Sequence, residues 1–202
     1  MLEIYKKKNP ESKFWNWFVK NKSKIEKFIE NPNNGYETCN QLIGKMKEYN
    51  ELLFPEITID ENNKYVLIIT PDGLSEGVKP TQKLGESHPE IENWIIKKFR
   101  QPTDNAKLNI NGLEYPSSDI KILPTVDTER EKVDIQVYIK NMNNDKEKYQ
   151  HLAFLYFDHI LGEFNTITRV GYIDFYQLDE NQDLENAINL IELRKLIEQE
   201  LY

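Results

Sequence analysis

The chain has 202 residues, of which 39% are hydrophobic and 30% are charged. This balance is typical of a well-solvated globular domain with a substantial core, and it excludes a disordered or membrane-embedded protein. The formal net charge of −8 argues against a nucleic-acid-binding protein, because neutralising phosphates requires a basic face.

Cysteine usage and the shortness of the apolar runs predict a cytoplasmic location. Cys39 is the only cysteine, which excludes an internal disulfide and a cysteine-based zinc cluster. The longest uninterrupted apolar run, residues 152–157, is far too short to cross a bilayer. The lysines at 6–8 have no apolar segment behind them, so we expect neither a secretory signal nor an integral membrane segment.

Charge is distributed unevenly along the chain. Residues 1–30 contain eight lysines and four acids, whereas residues 173–202 contain eight acids and two basic residues. We expect these two oppositely charged ends to pack together.

The first predicted element is an aromatic-rich helix from about residue 9 to Ile29, ended by the Pro- and Gly-containing segment 31–35. Its apolar residues share one face, and we expect four of them to be largely buried: Phe14, Trp17, Phe18 and Phe28. An alternative is that this face lies on an anionic membrane. A second helix is predicted at about 37–52.

The middle of the chain alternates between predicted strands and helices. Strands are predicted at 54–60 and 65–69, the latter apolar on both faces and followed by the turn formers Pro71-Asp72-Gly73. The spacing of Ser87 and Glu90 matches a capping box, which predicts a helix at about 88–99.

The remaining elements complete an α+β pattern. Strands are predicted near 107–110, 119–124 and 133–139, then a helix at 145–161 ended by Gly162, a strand at 166–178 and a helix at 184–201. We predict one domain, residues 1–202, with a mostly antiparallel sheet packed by helices from the N-terminus, the middle and the C-terminus. In it, a helical pair at 9–52 packs on a sheet-containing part at 54–202.

Several short motifs resemble those of a family of uncharacterised small cytosolic bacterial proteins that open with a Phe-Trp-x-Trp-Phe helix. The matching positions are Phe14 to Phe18, Pro71 to Gly73, Trp94, and Leu161-Gly162-Glu163. The resemblance spans most of the chain. It implies a shared fold and carries no activity with it.

Motifs that mark common enzymes are absent from the sequence. No Gly-rich phosphate loop, HExxH or GxSxG pattern is present. One group of side chains on and just after the 145–161 helix has the composition of a metal or acid–base site: His151, Asp158, His159 and Glu163. These same groups are also explained as solvated histidines paired with carboxylates near a helix end.

The last predicted helix has an unusually wide apolar face. Leu193 and Leu196 lie beyond the stripe that one sheet would cover, so we predict that they contact a second chain, either a homodimer partner or another protein.

The function that the sequence favours is a non-enzymatic, soluble protein-binding module of a bacterium, similar in kind to immunity or antidote proteins. The alternative is a hydrolase or metal-dependent enzyme that uses His151, Asp158, His159 and Glu163. No cofactor, bound metal, small-molecule ligand or nucleic acid is predicted.

Overall fold

The computed structural model describes residues 9–31, 36–110, 113–180 and 182–202. The predictions made on residues 1–8 and on the helix break at 32–35 lie outside the described residues. Contacts divide the chain into two compact units, Met1–Phe99 (unit 1) and Arg100–Tyr202 (unit 2). Each unit has its own hydrophobic core.

Unit 1 begins with two helices and continues with a small mixed sheet. Its elements are α1 (Pro10–Glu30), α2 (Tyr36–Tyr49), β1 (Phe54–Ile59), β2 (Tyr65–Thr70), α3 (Val78–Glu86) and β3 (Trp94–Lys98). The strand order is β1-β2-β3, with β1 antiparallel and β3 parallel to the central β2.

The core of unit 1 forms where the aromatic face of α1 meets the sheet. Phe14, Trp15 and Phe18 are almost completely buried against residues of β2 such as Leu67. The Trp15 indole donates a hydrogen bond to the Leu84 carbonyl at 3.0 Å, which links α1 to the end of α3. The apolar stripe of α1 therefore packs inside the unit.

The burial expected on α1 is confirmed for only part of the set. Phe14 and Phe18 are buried, whereas Trp17 and Phe28 are only partly buried because they lie at the margins of the stripe. No described helix is long and apolar enough to cross a membrane.

Unit 2 contains a two-stranded and a three-stranded sheet. Its elements are β4 (Leu108–Ile110), β5 (Leu113–Tyr115), β6 (Ile120–Asp127), β7 (Lys132–Lys140), α4 (Lys146–Tyr156), a π-helical turn (Phe157–Gly162), α5 (Glu163–Arg169), β8 (Val170–Leu178) and α6 (Leu190–Glu200). The larger sheet has the order β6-β7-β8, with β6 antiparallel and β8 parallel to the central β7.

The α+β class is confirmed, and antiparallel strand pairs outnumber parallel ones. The predicted single sheet-containing part at 54–202 differs from the structure, because three sheets are divided between the two units. The helical pair α1–α2 packs on the sheet of unit 1.

The helix predicted at 88–99 is wrong. Ser87 ends α3, with its backbone N–H bonded to the Leu84 carbonyl, and β3 follows at 94–98. Pro80 lies in the first turn of α3, where proline is tolerated. The β-branched pair Ile95-Ile96 beside Trp94 is better suited to a strand.

Two boundaries near the C-terminus are also corrected. The strand predicted from residue 166 begins at Val170, because Thr166 and Thr168 donate their hydroxyls to carbonyls four residues back and belong to α5. The final helix begins at Leu190, where Asn189 and Glu192 form a capping box.

The later start of α6 removes the case for an interface at Leu193, whereas a contact of Leu196 with a second chain stays a prediction. Residues 184–188 lie outside the helix, and Ile188 pairs with Ile122 of β6 as an isolated bridge. The actual helix has an ordinary apolar face, on which Leu193 is fully buried in the core of unit 2 and Leu196 is partly buried against it. The prediction that Leu193 faces a second chain is therefore wrong.

Replacing Phe18 by alanine should destabilise unit 1 by about 3–5 kcal/mol, because the ring is fully buried and leaves a cavity. Val19→Ala is the control: its side chain is 43% exposed, and its cost should stay within about 0.5 kcal/mol. Urea unfolding followed by tryptophan fluorescence measures this, since all three tryptophans lie in unit 1. Equal midpoints for the two variants would contradict this core.

Leu193→Glu should unfold unit 2, because it places a carboxylate in an apolar core. The neighbouring exposed Lys195→Glu makes a larger charge change and should leave the unit folded. Far-UV circular dichroism and sedimentation velocity distinguish the outcomes. A folded Leu193→Glu chain that sediments more slowly than the wild type would restore the interface prediction.

Candidate functional site

The four side chains proposed for a metal or acid–base site do not face a common space. His151 and His159 are exposed to solvent, whereas Glu163 is completely buried and Asp158 is mostly buried. Both carboxylates turn toward Arg100, the first residue of unit 2. The histidines and the carboxylates therefore have separate environments.

Arg100 binds both carboxylates through its guanidinium and binds Glu163 through its backbone as well. Its guanidinium Nη1 lies 3.1 Å from Asp158 Oδ2 and 3.6 Å from Glu163 Oε1. Its backbone N–H donates to Glu163 Oε2 at 3.1 Å, and its carbonyl accepts from the Glu163 backbone N–H at 3.0 Å. A buried carboxylate held by a guanidinium and an amide is well satisfied as a structural group.

The π-helical turn that precedes Glu163 depends on a glycine. Gly162 has φ +82, and a Cβ at this position would lie 2.9 Å from Pro102 Cδ. The Thr103 backbone N–H also donates to the His159 carbonyl at 2.8 Å. Segment 100–103 is thus hydrogen-bonded to the backbone of the π turn. This pairing brings the side chains of Asp158 and Glu163 close to Arg100. π turns are frequent at functional sites, but here the turn is used for packing.

The geometry gives these residues no arrangement that would bind a metal. Among the described residues, no group of three His, Cys, Asp or Glu side chains is placed to hold a metal ion. The enzyme hypothesis requires His151 and His159 to face Asp158 and Glu163, and it stays a prediction.

A second buried carboxylate, which no local sequence pattern singles out, links the three helices of unit 1. Glu11 of α1 accepts hydrogen bonds from Lys83 of α3 at 2.9 Å and from the Tyr49 hydroxyl of α2 at 3.2 Å. Burial alone would raise the pKa of Glu11, but these hydrogen bonds and the Lys83 charge hold the pKa below its usual value. Burial, together with the charge of Glu11, raises the pKa of Tyr49. The apolar pattern of α1 does not single out Glu11, because this residue precedes the aromatic cluster.

A groove of about 350 Å³ lies beside this group, lined mainly by Phe14, Trp17 and Tyr49. On its rim, Lys45 lies 2.6 Å and Lys13 3.8 Å from the same carboxylate, that of Glu48. Two lysines against one glutamate leave the rim with an excess of positive charge.

The most prominent feature of unit 2 outside its core is the outer face of the sheet β6-β7-β8. The inward residues of β7 are buried, whereas Gln136 is exposed and Tyr138 is half-buried. On the edge strand β8, Tyr172 is 75% and Tyr176 40% exposed. Tyr138 and Tyr176 are register partners whose rings stack at 5.1 Å.

One end of this outer face holds a guanidinium from the chain itself. Arg130 lies over the Tyr172 ring, 5.2 Å from its centroid, and bonds to Asp127 and Asp134 at 2.6 Å each. The backbone N–H of Arg130 lowers the pKa of Asp127 below its usual value, as does its guanidinium. The Tyr172 backbone N–H does the same for Asp134, with Arg130 adding to the effect.

The pattern of this face is present in the sequence, although there it predicted only strands and no binding surface. The alternation along β7 predicted one wet face, and it was confirmed. The same alternation in Tyr172, Asp174 and Tyr176 places two aromatic rings and a carboxylate on the solvent side of one strand. Exposed aromatic residues at period two are the signal that would have identified the surface.

Comparison with known proteins finds no matching family model, no similar curated protein and no similar solved structure. The resemblance to the family that opens with a Phe-Trp-x-Trp-Phe helix therefore stays a prediction.

Arg100→Met should destabilise unit 2 by about 3–5 kcal/mol, because it removes the cation opposite a fully buried carboxylate. Arg169→Met is the matched control: its side chain is similarly buried, but its partner Glu131 is exposed, and its cost should be about 1 kcal/mol. His159→Ala should change stability by no more than about 0.5 kcal/mol. Urea unfolding followed by far-UV circular dichroism measures all three.

A different ranking of these variants would overturn the structural role of the Arg100 cluster. Loss of stoichiometric zinc or manganese in purified His159→Ala, measured by elemental analysis against the wild type, would restore the metal-site hypothesis.

Proposed function

We propose that the protein is a non-enzymatic protein-binding module and that the outer face of β6-β7-β8 is its contact surface. The observation that carries this proposal is the set of tyrosines on the outer face of that sheet: Tyr172 and Tyr176 are exposed, and Tyr138 is half-buried. Tyrosine is enriched at protein interfaces and at their energetic hot spots, because it combines a rigid apolar ring with a polar tip.

The position of these tyrosines supports the proposal. They stand on neighbouring strands of a sheet whose other face is covered by the helices of unit 2, so their backbone is held rigidly. A preorganised surface loses little conformational freedom when a partner binds.

The charge of the chain supports a finer version of the proposal. A module of net charge −8 attracts partners of opposite charge and repels acidic ones. An acidic, cytoplasmic immunity or antidote protein of a bacterium is a module of this kind, and it is the form of the proposal that we favour.

Site-specific photocrosslinking tests the surface. The photoreactive residue p-benzoylphenylalanine is introduced in place of Tyr172 or Tyr176 and, as a control, in place of Tyr36, which is 79% exposed on α2 of unit 1. In extracts of the source cells, we expect the same crosslinked protein from positions 172 and 176 and not from 36. Excess wild-type chain should compete for it, whereas a Tyr172→Ser, Tyr176→Ser double variant should not.

Two outcomes would contradict the proposal. One is the absence of a competed crosslink at both strand positions. The other is an identical set of products from position 36, which would indicate nonspecific capture.

A further inference from the structure

The composition of the edge strand β8 does not protect it from pairing with another strand. Its nine residues contain no proline, no lysine and a single charge, Asp174. Natural proteins commonly block exposed edges with lysine, proline or very short strands, because an open edge pairs readily with another strand. No further strand pairs with the outer side of β8 within the parts of the chain that the structure describes.

Asp174 is the charged group at the centre of this edge. It lies on the solvent face between Tyr172 and Tyr176, about 7 Å from each along the strand. It has no hydrogen-bond or ion-pair partner among the described residues. Its register partner on β7 is Gln136. The nearest lysine on this face by register is Lys121 of β6, which is paired with Tyr138 and lies two strands, or about 10 Å, from β8.

The same sheet face already holds one arginine of the chain itself on a carboxylate and an aromatic ring. Arg130 places its guanidinium over the Tyr172 ring and bonds carboxylates on two strands. Asp174 with the stacked rings of Tyr138 and Tyr176 offers the same two elements, a carboxylate and an aromatic face, further along the strand. Both elements favour a guanidinium, the second through cation–π attraction.

We propose, on the basis of the proposed function above, that β8 binds an extended, arginine-bearing segment of a partner protein as a fourth strand. The partner backbone pairs with the outer edge of β8, and an arginine side chain reaches Asp174 and the Tyr138–Tyr176 stack. This is strand addition, in which main-chain hydrogen bonds supply affinity and alternate side chains supply specificity.

The charge of the chain favours this occupant over two others. A single-stranded nucleic acid would bring phosphates to Asp174 and to a chain of net charge −8. A second copy of this chain, paired edge to edge, would bring its own Asp174 to the same uncompensated surface. An arginine-bearing segment is positively charged and would be repelled neither by Asp174 nor by the net charge of the chain.

The test uses the full chain and two peptides that differ only in charge. Acetyl-Thr-Arg-Val-Arg-Thr-amide is compared with its twin in which citrulline replaces both arginines, a neutral side chain of nearly the same shape. In isothermal titration calorimetry we expect the arginine peptide to bind at least about fivefold more tightly than the twin. Asp174→Asn should remove most of that difference, and Tyr176→Leu, which keeps apolar area without the ring, should reduce it.

Glu185→Gln is the matched control, because it makes the same charge change at an exposed position of unit 2. It should leave both affinities within about twofold of the wild type. Equal affinities of the two peptides for the wild type, or an Asp174→Asn variant that discriminates as well as the wild type, would overturn the inference. So would failure of the arginine peptide to bind at about millimolar concentration.

The experiments test the proposed function and the arginine inference independently. If photocrosslinking at 172 and 176 succeeds while the peptides are not distinguished, the surface binds a protein but not through arginine. If sedimentation velocity shows that the wild type dimerises and the Tyr172→Ser, Tyr176→Ser double variant does not, the occupant is a second copy, and the inference is wrong.

Discussion

The buried carboxylate of Glu163 is the constraint on which the architecture of unit 2 depends. It receives the backbone and the guanidinium of Arg100, and its own N–H returns a hydrogen bond to the Arg100 carbonyl. These bonds fix the end of the π turn, and Gly162 permits the close approach to Pro102. Beyond this turn the chain enters β8, whose parallel pairing with β7 shifts register between Val133 and Ile135 and from there sets the face on which each residue of β8 stands.

The two units share a strand arrangement that the sequence does not reveal. In each, an antiparallel hairpin is followed by a helical connection to a third strand, which pairs parallel to the second. They differ in their central strands. The strand β2 is buried or half-buried throughout, whereas β7 alternates between buried and solvent-facing residues. Within unit 2, this alternation produces an open face on which tyrosines and charged side chains can meet a partner.

The sequence predicted the elements with strong periodicity and missed those that depend on tertiary contacts. The helix α1, the hairpin strands and the wet face of β7 follow from local patterns of apolar residues. The strand β3 was missed because Ser87 and Glu90 match a capping box by chance. Gly85 of α3 packs closely on β3, because a Cβ there would lie 2.3 Å from Lys98 Cγ. Such a contact between distant segments leaves no local pattern.

For the candidate site too, the sequence predicted what depends on local spacing and missed what depends on tertiary contacts. Spacing on a helix correctly grouped Asp158 and Glu163, but it could not show that a distant arginine binds both of them and that the histidines face solvent. The error at Leu193 came from a boundary, because six residues assigned to the helix belong to a non-helical segment. By contrast, Tyr172, Asp174 and Tyr176 could have been grouped from the sequence alone, since period two places them on one face.

The central claim is that the outer edge of β8 is the part of the molecule that receives a partner. Backbone amide hydrogen exchange of the full chain, with and without the arginine peptide, tests it most directly. Strand addition predicts slower exchange in the presence of the peptide at amides of β8, residues 170–178, and unchanged exchange throughout unit 1. Unchanged exchange in β8, or protection confined to the α1–α2 groove, would contradict the account.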